Sequence, residues 1–377
     1  MPHAVIIGAG IAGLAAALRL GRDGWRTTVV ERAAQRRTGG YLVNLLGPGY
    51  DAAEGLGLIP ELASHDVGLF TTVLVHADGR PKLTVPSAVA EAALGARALT
   101  VFRGDLESTL YDAVADHTDF RFGTTVAAVD QDADEVRVVL SDGTTLHGDL
   151  LIGADGVRSG TRGTVFGAGG QVDLPYVVAA FPLPGPAAEH TATTYIGPGR
   201  TAATFGGKRA AAFFTYRCAD PAAELRRGAA DALTAAFGDL GGPVAKALEV
   251  LPAGVYFDAV SQVVLPRWSN GRVVLLGDAA WCVTLFAGHG AALALAGADR
   301  LGAALLDHPG DLGAALARWE AGLRPEVTGR QESARRGMAQ YVPPTRFHVW
   351  MGELAIRAMT LRGVRGLVRR GIERANR

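Results

Sequence analysis

A glycine-rich turn near the start of the chain has the sequence Gly8-Ala9-Gly10-Ile11-Ala12-Gly13. An apolar run, Ala4-Val5-Ile6-Ile7, precedes it, and apolar residues with helical spacing (Leu14, Ala15 and Leu18) follow it. In a strand–turn–helix unit, glycines at this spacing let the backbone approach a pyrophosphate, whose charge then lies at the helix N-terminus. Taken alone, the turn fits bound NAD, bound FAD or a tight turn without a ligand.

An acidic residue stands at the end of the second predicted strand. Glu31 follows the apolar run of residues 27–30, close to the offset of about 20 residues at which a carboxylate binds the ribose hydroxyls of adenosine. Because its negative charge disfavours a 2′-phosphate, we expect an adenosine without that phosphate. Arg32, the next residue, is included among the predicted cofactor-binding residues.

The composition shows no strong preference for a charged partner. Lysine and arginine together number 37, as do aspartate and glutamate, so no net field attracts nucleic acid or an anionic membrane. The two cysteines, Cys218 and Cys282, cannot form a disulfide framework, which fits a reducing compartment. The first predicted strand starts almost at Met1, and no apolar run approaches the ~20 residues that span a bilayer. We therefore expect a cytoplasmic protein without a membrane span, and we predict no metal site.

Two further segments place an aspartate at the end of an apolar strand pattern. They are residues 150–159 (LLIGADGVRS) and residues 271–280 (GRVVLLGDAA). Doubly wound sheets bind their ligands at that edge. Considered separately, Asp155 is compatible with an ordinary turn and Asp278 with a helix cap. The order and spacing of all three segments favour one nucleotide-binding site instead.

The hydrophobic pattern predicts a discontinuous nucleotide-binding domain and an inserted domain. The first comprises residues 1–75, 99–173 and 271–345, with a helix starting near Gly104 and a turn at residues 141–144 (SDGT). The second comprises residues 76–98 and 174–270, because residues 174–217 contain short β-rich runs, separated by proline and glycine, with no helix between them.

The last part of the chain is predicted to be helical. Beyond Arg318 the helical pattern is interrupted at Pro325 and at Pro343-Pro344. Residues 346–377 are predicted to form a C-terminal helix, with arginines around an apolar face made by Leu361, Val364, Val368 and Ile372. Such a helix either lies on a membrane surface or packs on its own domain with its arginines in solvent, and the second interpretation is favoured.

The three motif segments resemble those of the para-hydroxybenzoate hydroxylase family of single-component FAD-dependent monooxygenases. In that family a glycine fingerprint, an Asp-Gly motif and a Gly-Asp motif occur in this order. Residues 102–106 (FRGDL) are similar to the family's Arg-x-x-Leu start of a flavin-contacting helix, and residues 317–325 to the segment after its Gly-Asp helix. The resemblance covers nearly the whole chain. It implies an α/β fold in which a Rossmann-type FAD-binding domain carries an inserted antiparallel-sheet substrate domain, followed by a C-terminal helical segment.

The resemblance also implies a set of FAD-binding residues. Arg103 would contact the flavin side of the cofactor, and Asp278 would hydrogen-bond its ribityl chain. Asp155 is similar to a family carboxylate that lies near both the pyrophosphate and the path of NAD(P)H, a transient co-substrate with no glycine fingerprint of its own. The complete predicted set is Gly8, Gly10, Gly13, Glu31, Arg32, Arg103, Asp155, Asp278, Gly288 and Gly290.

One segment departs from the family pattern. After Gly-Asp-Ala-Ala the family often has His and, three to four residues later, Pro, whereas Trp281, Thr284 and Leu285 stand here. Trp281 and Phe286 are either core residues or a wall that separates the flavin from water. His289 either reaches flavin or substrate, or has a structural role. Trp281, Phe286 and His289 are the candidate catalytic residues.

The leading functional hypothesis is an NAD(P)H-dependent FAD monooxygenase that uses molecular oxygen, through a flavin C4a-hydroperoxide, to oxygenate an aromatic or polycyclic small molecule. Its pocket is predicted to include aromatic residues of the inserted sheet: Tyr195, Phe205, Phe213 and Tyr216. Because strand side chains alternate, each of them faces either the pocket or the opposite side of the sheet. The main alternative is a flavin oxidase, dehydrogenase or reductase of the same fold without oxygen insertion, and a third is a protein that binds a ligand without turnover. The identity of the substrate, the choice between NADH and NADPH, and the oligomeric state stay open.

Overall fold

The computed structural model describes residues 1–36, 40–94, 97–185 and 187–360. Its strands are β1 His3–Ile7, β2 Arg26–Glu31, β3 Leu42–Leu46, β4 Thr71–Val75, β5 Pro81–Val85, β6 Ala98–Phe102, β7 Thr118–Phe122, β8 Val126–Gln131, β9 Val136–Leu140, β10 Thr145–Gly148, β11 Leu150–Gly153, β12 Gln171–Leu183, β13 Ala187–Gly197, β14 Arg200–Gly207, β15 Ala210–Arg217, β16 Tyr256–Val263, β17 Ser269–Asn270 and β18 Val273–Leu275. Its helices are α1 Ile11–Arg22, α2 Pro48–Gly55, α3 Ile59–Ser64, α4 Ser87–Leu94, α5 Arg103–Asp112, α6 Gly160–Phe166, α7 Pro221–Arg227, α8 Ala229–Phe237, α9 Gly242–Glu249, α10 Asp278–Trp281, α11 Gly290–Asp307, α12 Leu312–Tyr341 and α13 Arg346–Thr360.

A mainly parallel six-stranded sheet lies at the centre of the nucleotide-binding part, in the order β17-β18-β11-β1-β2-β7. β1 pairs in parallel with both β2 and β11, and β11 pairs in parallel with β18. The three motif segments therefore leave the sheet at one edge, since each follows the carboxyl end of one of three adjacent strands. The predicted α/β fold is confirmed.

Two layers bury the faces of this sheet. Helices α1 and α11 cover one face through a large apolar core. On the other face, Val5, Ile7 and Leu151 pack against β9 of the three-stranded sheet β10-β9-β8. Strands buried on both faces explain the continuous apolar runs at residues 4–7 and 150–152.

A seven-stranded sheet, in the order β16-β12-β15-β14-β13-β4-β5, forms the inserted part. All its pairings are antiparallel except β13 with β4. Its outer face packs on helices α8 and α9. Part of its inner face, which faces the nucleotide-binding sheet, packs on α12 and on a 3₁₀ turn, Leu285–Ala287. The antiparallel inserted sheet agrees with the prediction, while the exact domain boundaries stay a prediction.

The long helix α12 does not follow the predicted pattern at its proline. Helix α12 runs through Pro325 without ending there, contrary to the predicted break. Pro325 is exposed, while Leu323 and Val327 are buried on the opposite side, so packing of the flanking residues outweighs the missing hydrogen bond. The predicted apolar face of Leu361, Val364, Val368 and Ile372 lies outside the described residues. Among the described helices, none is both long and apolar enough to cross a membrane.

Candidate active site

In the glycine turn between β1 and α1, the backbone packs so closely that a side chain at Gly8 or Gly13 would overlap neighbouring backbone atoms. Gly8 has φ +105°, and a Cβ atom there would lie 2.5 Å from the carbonyl oxygen of Ala154. A Cβ atom at Gly13 would lie 1.9 Å from the carbonyl oxygen of Gly8. The N-terminus of α1 has no side-chain cap, so its first backbone N–H groups are left for an anionic ligand such as a pyrophosphate.

Glu31 is held beside this turn by two backbone hydrogen bonds. Its Oε2 accepts from the N–H of Ala9 at 2.9 Å, and its Oε1 accepts from the N–H of Ala33 at 2.8 Å. Each carboxylate oxygen retains a further lone pair, so Glu31 still has acceptor capacity for ribose hydroxyls. The fixed carboxylate fits the predicted adenosine site.

Arg103 and Asp278 both line the cleft and lie close enough for their charges to interact. Arg103, the first residue of α5, forms an ion pair with Glu107 at 2.7 Å and lies beside Gly10. Asp278, the first residue of α10, is enclosed by protein, yet its side chain is accessible through the open cleft. Burial raises the pKa of Asp278, whereas Arg103 and the thiol of Cys282 act in the opposite direction.

The Asp155 segment is tied to the Asp278 segment by an arginine that the sequence prediction missed. Asp155 accepts a hydrogen bond from the backbone N–H of Thr161 at 2.9 Å. Arg162 is 5% exposed and donates to the carbonyl oxygens of Val157 at 2.7 Å and Ala279 at 3.0 Å. An arginine seven residues after the Asp-Gly aspartate is the sequence signal for this contact. The buried guanidinium of Arg162 thus holds the loop that follows Asp155 at a fixed distance from the segment that follows Asp278.

The cleft between the two large sheets has a volume of about 1150 Å³. This exceeds the roughly 300–1,000 Å³ of ordinary small-molecule pockets, so a dinucleotide and a second molecule both fit. All but one of the predicted FAD-binding residues line it: Gly8, Gly10, Glu31, Arg32, Arg103, Asp155, Asp278, Gly288 and Gly290. Gly13 lies behind the turn against Gly8. The structure brings these residues together, and their individual roles in binding stay predictions.

Two tyrosines meet across the cleft. The rings of Tyr41, before β3, and Tyr256, at the start of β16, have centroids 5.5 Å apart. Burial raises the pKa of Tyr41 to about 12, with Arg103 opposing, and burial also raises the pKa of Tyr256. Both phenols are therefore neutral hydrogen-bond donors at physiological pH. The sequence prediction named neither residue, because neither belongs to a motif.

The predicted catalytic aromatics lie away from the cleft. Trp281 is 1% exposed and packs against Trp268 and Trp319, with ring centroids 4.6 and 5.7 Å away. Phe286 packs between Tyr176 and Tyr341 under the inserted sheet. Both side chains pack in the core, which agrees with the first of the two interpretations of the sequence, and a catalytic role for either residue stays a prediction. The residues that line the cleft in this segment include Thr284 and Leu285.

Thr284 is the one non-glycine residue with positive φ among those the structure describes. Its φ is 102°, its side chain is 3% exposed, and its Oγ1 has no hydrogen-bond partner in the described part of the chain. A β-branched residue in this conformation is strained, and such strain is common at functional sites. His289 follows as the N-cap of α11, partly buried between Gly288 and Gly290, and its catalytic role stays a prediction.

The four predicted substrate residues divide between the two faces of the inserted sheet. Phe213 is paired with Ala180, which lines the cleft, and with Ala203, two residues before Phe205, so Phe213 and Phe205 belong to the inner face. Tyr195 and Tyr216 pack in the outer core with α8 and α9. Strand alternation therefore turns Tyr195 and Tyr216 away from the cleft, contrary to the prediction.

Comparison with known proteins assigns the family. Residues 2–170 match a family model described as "FAD binding domain". A protein named flavin-dependent monooxygenase, from an unknown prokaryotic organism, is 30% identical over 344 residues, which cover 88% of this chain and 89% of the relative. The chain therefore belongs to the family of FAD-dependent monooxygenases that includes para-hydroxybenzoate hydroxylase, and it is an FAD-dependent enzyme of that family.

Solved structures agree over nearly the full length. The tetracycline destructase Tet(51) superposes with a TM-score of 0.84 at 27% identity, covering 100% of this chain and 98% of that one. HpxO of Klebsiella pneumoniae, solved with FAD and uric acid, gives a TM-score of 0.81 at 25% identity, covering 98% of this chain and 96% of that one. The FAD-binding fold predicted from the motifs is thus shared with a structure that contains the cofactor.

Proposed function

We propose that the protein is an NAD(P)H-dependent monooxygenase that hydroxylates or otherwise oxygenates an aromatic or polycyclic small molecule. The observation that carries the proposal is the continuity of one cleft, from the glycine turn past Asp278 to the inner face of the inserted sheet. Similar proteins are named for their action on tetracycline or are solved with uric acid, and both molecules are ring systems.

The chain fits FAD at the nucleotide end of the cleft. Gly8, Gly10 and the uncapped N-terminus of α1 would hold the pyrophosphate, Glu31 the ribose, and Asp278 the ribityl chain. When bound, FAD would supply the redox chemistry: substrate, NAD(P)H, one proton and one O₂ give the oxygenated substrate, NAD(P)⁺ and water. The N-terminus of α11, at Gly290, is a positive helix end that favours negative charge on the cofactor ring.

The other end of the cleft suits an aromatic substrate. Val178, Val260 and Leu285 line it and exclude water, which protects a reaction whose competing outcome is release of hydrogen peroxide. The neutral hydroxyls of Tyr41 and Tyr256 can donate to a carbonyl or phenolic oxygen, while their rings pack against a planar molecule. These groups position a substrate and require no charged acid or base.

Product analysis under labelled oxygen tests this function. The purified holoenzyme is mixed under ¹⁸O₂ with NADH or NADPH and a series of phenols, quinones and indoles, and reductant consumption, peroxide and product mass are measured. We expect at least one substrate to gain a single ¹⁸O atom in proportion to the NAD(P)H oxidised. Stoichiometric peroxide with every substrate would instead identify an oxidase, and product formation without oxygen uptake would identify a dehydrogenase or reductase.

A further inference from the structure

Thr284 has a backbone conformation that is almost restricted to glycine. Its φ is 102° and its ψ is 154°, and the other described residues with positive φ are all glycines. Its side chain is buried, and among the described residues its Oγ1 finds no hydrogen-bond partner. Both features oppose folding, so the chain adopts this conformation only because its surroundings enforce it.

Gln331 of α12 contacts the segment that leads to Thr284. It is 7% exposed, and its Nε2 lies 3.3 and 3.4 Å from the carbonyl oxygens of Cys282 and Trp281. The same nitrogen donates to the carbonyl oxygen of Val263 at 2.7 Å. The backbone N–H of Val263 donates in turn to the carbonyl oxygen of Cys282 at 3.0 Å. One side chain therefore joins helix α12, strand β16 and this segment.

Gln262 of β16 adds a second buried amide to the same place. It is 0% exposed and donates through Nε2 to the carbonyl oxygens of Val283 at 3.1 Å and Gln331 at 3.0 Å. Its Oε1 accepts a hydrogen bond from Nε of Arg335, one turn after Gln331. We call Gln262 and Gln331 the glutamine bridge. Because a buried polar network with all its hydrogen bonds made is rigid, the bridge fixes the backbone that it contacts.

Packing fixes the chain on the other side of Thr284. Phe286 lies between the rings of Tyr176 and Tyr341, with centroids 6.0 and 5.6 Å away. Between the two anchors, Thr284 and Leu285 line the cleft, whereas neither residue of the glutamine bridge does. The bridge therefore acts on the wall of the cleft only through the backbone.

We propose that the glutamine bridge positions Thr284 and Leu285 against the molecules bound in the cleft, and thereby sets how much reductant yields oxygenated product rather than hydrogen peroxide. The proposal rests on the monooxygenase function proposed above. Strain persists where the surrounding structure enforces it and is common at functional sites, and here the enforcing groups are buried amides. A small displacement of this wall would admit water and misplace the substrate. Gln262 and Gln331 are thus positioning residues.

The ratio of hydrogen peroxide to product measures this effect. In the unproductive reaction, NAD(P)H, one proton and O₂ give NAD(P)⁺ and hydrogen peroxide. Gln331→Met keeps the length of the side chain and removes its amide donor. The holoenzyme with full flavin content is supplied with a substrate that the parent oxygenates. We expect the ratio to rise by on the order of tenfold, since a misplacement of about 1 Å can cost about a hundredfold in rate.

Leu316→Ala is the matched control on the same helix. Leu316 is 2% exposed and lies about four turns before Gln331, so its truncation lowers stability and leaves the glutamine bridge in place. We expect a lower melting temperature together with the ratio of the parent. The parent's ratio in Gln331→Met, or an equal rise in Leu316→Ala, would overturn the proposal.

Thr284→Gly is a second test, which does not depend on the folding of a bridge variant. Glycine adopts this backbone conformation without strain, so the melting temperature should not fall. The ratio should nevertheless rise, because Thr284 lines the cleft. A lower melting temperature with the parent's ratio would show that the segment serves stability alone, against the proposal.

A failure of the proposed oxygenation is recognised separately. If the parent gives only peroxide with every substrate, that function is wrong, and the absorption spectrum of the bound flavin decides the positioning role without turnover. The held segment leads to Gly288 and Gly290, two predicted flavin contacts that line the cleft. Gln331→Met should therefore shift the flavin bands, whereas Leu316→Ala should not. Identical spectra in the parent and both variants would overturn the inference.

Discussion

Asp278 lines the cleft, where protein surrounds its carboxyl while the side chain stays accessible from the cavity. Its raised pKa means that the folded apoprotein binds a proton at this carboxyl more tightly than the unfolded chain does, whose pKa is about 3.8. Stability therefore declines as the pH rises from the unfolded value through the folded one. The Asp278 carboxylate therefore lowers the stability of the apoprotein at neutral pH. In the proposed complex it would instead accept hydrogen bonds from hydroxyl groups of the ligand.

The variant Asp278→Asn separates these two effects. The apoprotein of the variant should unfold at a higher temperature than the parent at neutral pH, with the difference vanishing below the pKa of the unfolded chain. FAD affinity should fall by roughly 10- to 150-fold, because a hydrogen bond to a charged group contributes ~1.5–3 kcal/mol. Calorimetry across pH and equilibrium dialysis of FAD measure the two quantities. An unchanged FAD affinity would remove Asp278 from the predicted binding set.

Leu285 and Phe286 are adjacent in the sequence but lie in different surroundings. Leu285 lines the cleft, whereas Phe286 is buried with Tyr176 and Tyr341. We expect Leu285→Ala to admit water and raise the ratio of hydrogen peroxide to product. Phe286→Ala should instead lower the free energy of unfolding by ~3–5 kcal/mol. Peroxide assays and denaturant unfolding distinguish them, and a reversed pattern would show that Phe286 is the shielding residue after all.

At the scale of elements, helix α1 packs directly on the turn that follows β1, with the backbone of Gly13 against the backbone of Gly8. A methyl group at Gly13 must displace either the helix or the turn, since the atom it would meet is the carbonyl oxygen of Gly8. Gly21, near the end of the same helix, has nothing within 4 Å of the equivalent position. The two glycines therefore form a matched pair for substitution.

Gly13→Ala is expected to abolish or strongly reduce the bound FAD per chain, because the helix end and the turn can no longer keep their present distance. Gly21→Ala should retain FAD and gain about 0.5–1 kcal/mol in stability from helix propensity. The ratio of flavin absorbance to protein absorbance in the purified variants measures the first effect. Full flavin content in Gly13→Ala would contradict the close contact.

At the scale of the whole molecule, the cleft is formed by residues from both large sheets, so a ligand bound there connects them. A ligand that binds only the folded state stabilises it by about 2.7 kcal/mol at a concentration of 100 times Kd. We therefore expect the melting temperature to rise steadily with added FAD. Adenosine monophosphate, which can occupy only the Glu31 end, is the control and should give a smaller rise at the same concentration, because it makes fewer contacts and binds more weakly. An equal rise with both ligands would contradict binding of FAD across both sheets.

The nucleotide-binding part was predictable from the sequence because its constraints are local. Glycines at fixed spacing and aspartates after apolar runs report backbone geometry that few other residues permit. The orientation of Tyr195 and Tyr216 was not predictable, because alternation along a strand gives two faces without saying which one is covered by helices. For Trp281 the sequence left a core position and a place beside the flavin as alternatives for a related reason: its burial depends on Trp268 and Trp319, which lie outside its own segment.

The order of the strands in the central sheet has a consequence for synthesis on the ribosome. β1 lies between β2 and β11, and β18 completes the neighbouring position more than 260 residues after β1 in the sequence. At roughly 5–20 residues per second, on the order of 10–60 seconds pass between synthesis of β1 and synthesis of β18, which pairs with β11. Throughout that interval the cleft lacks Asp278, which is predicted to bind the cofactor, so we expect the nascent chain to hold FAD less tightly than the finished protein does. The inserted sheet, whose strands are mostly neighbours in sequence, is free to fold earlier.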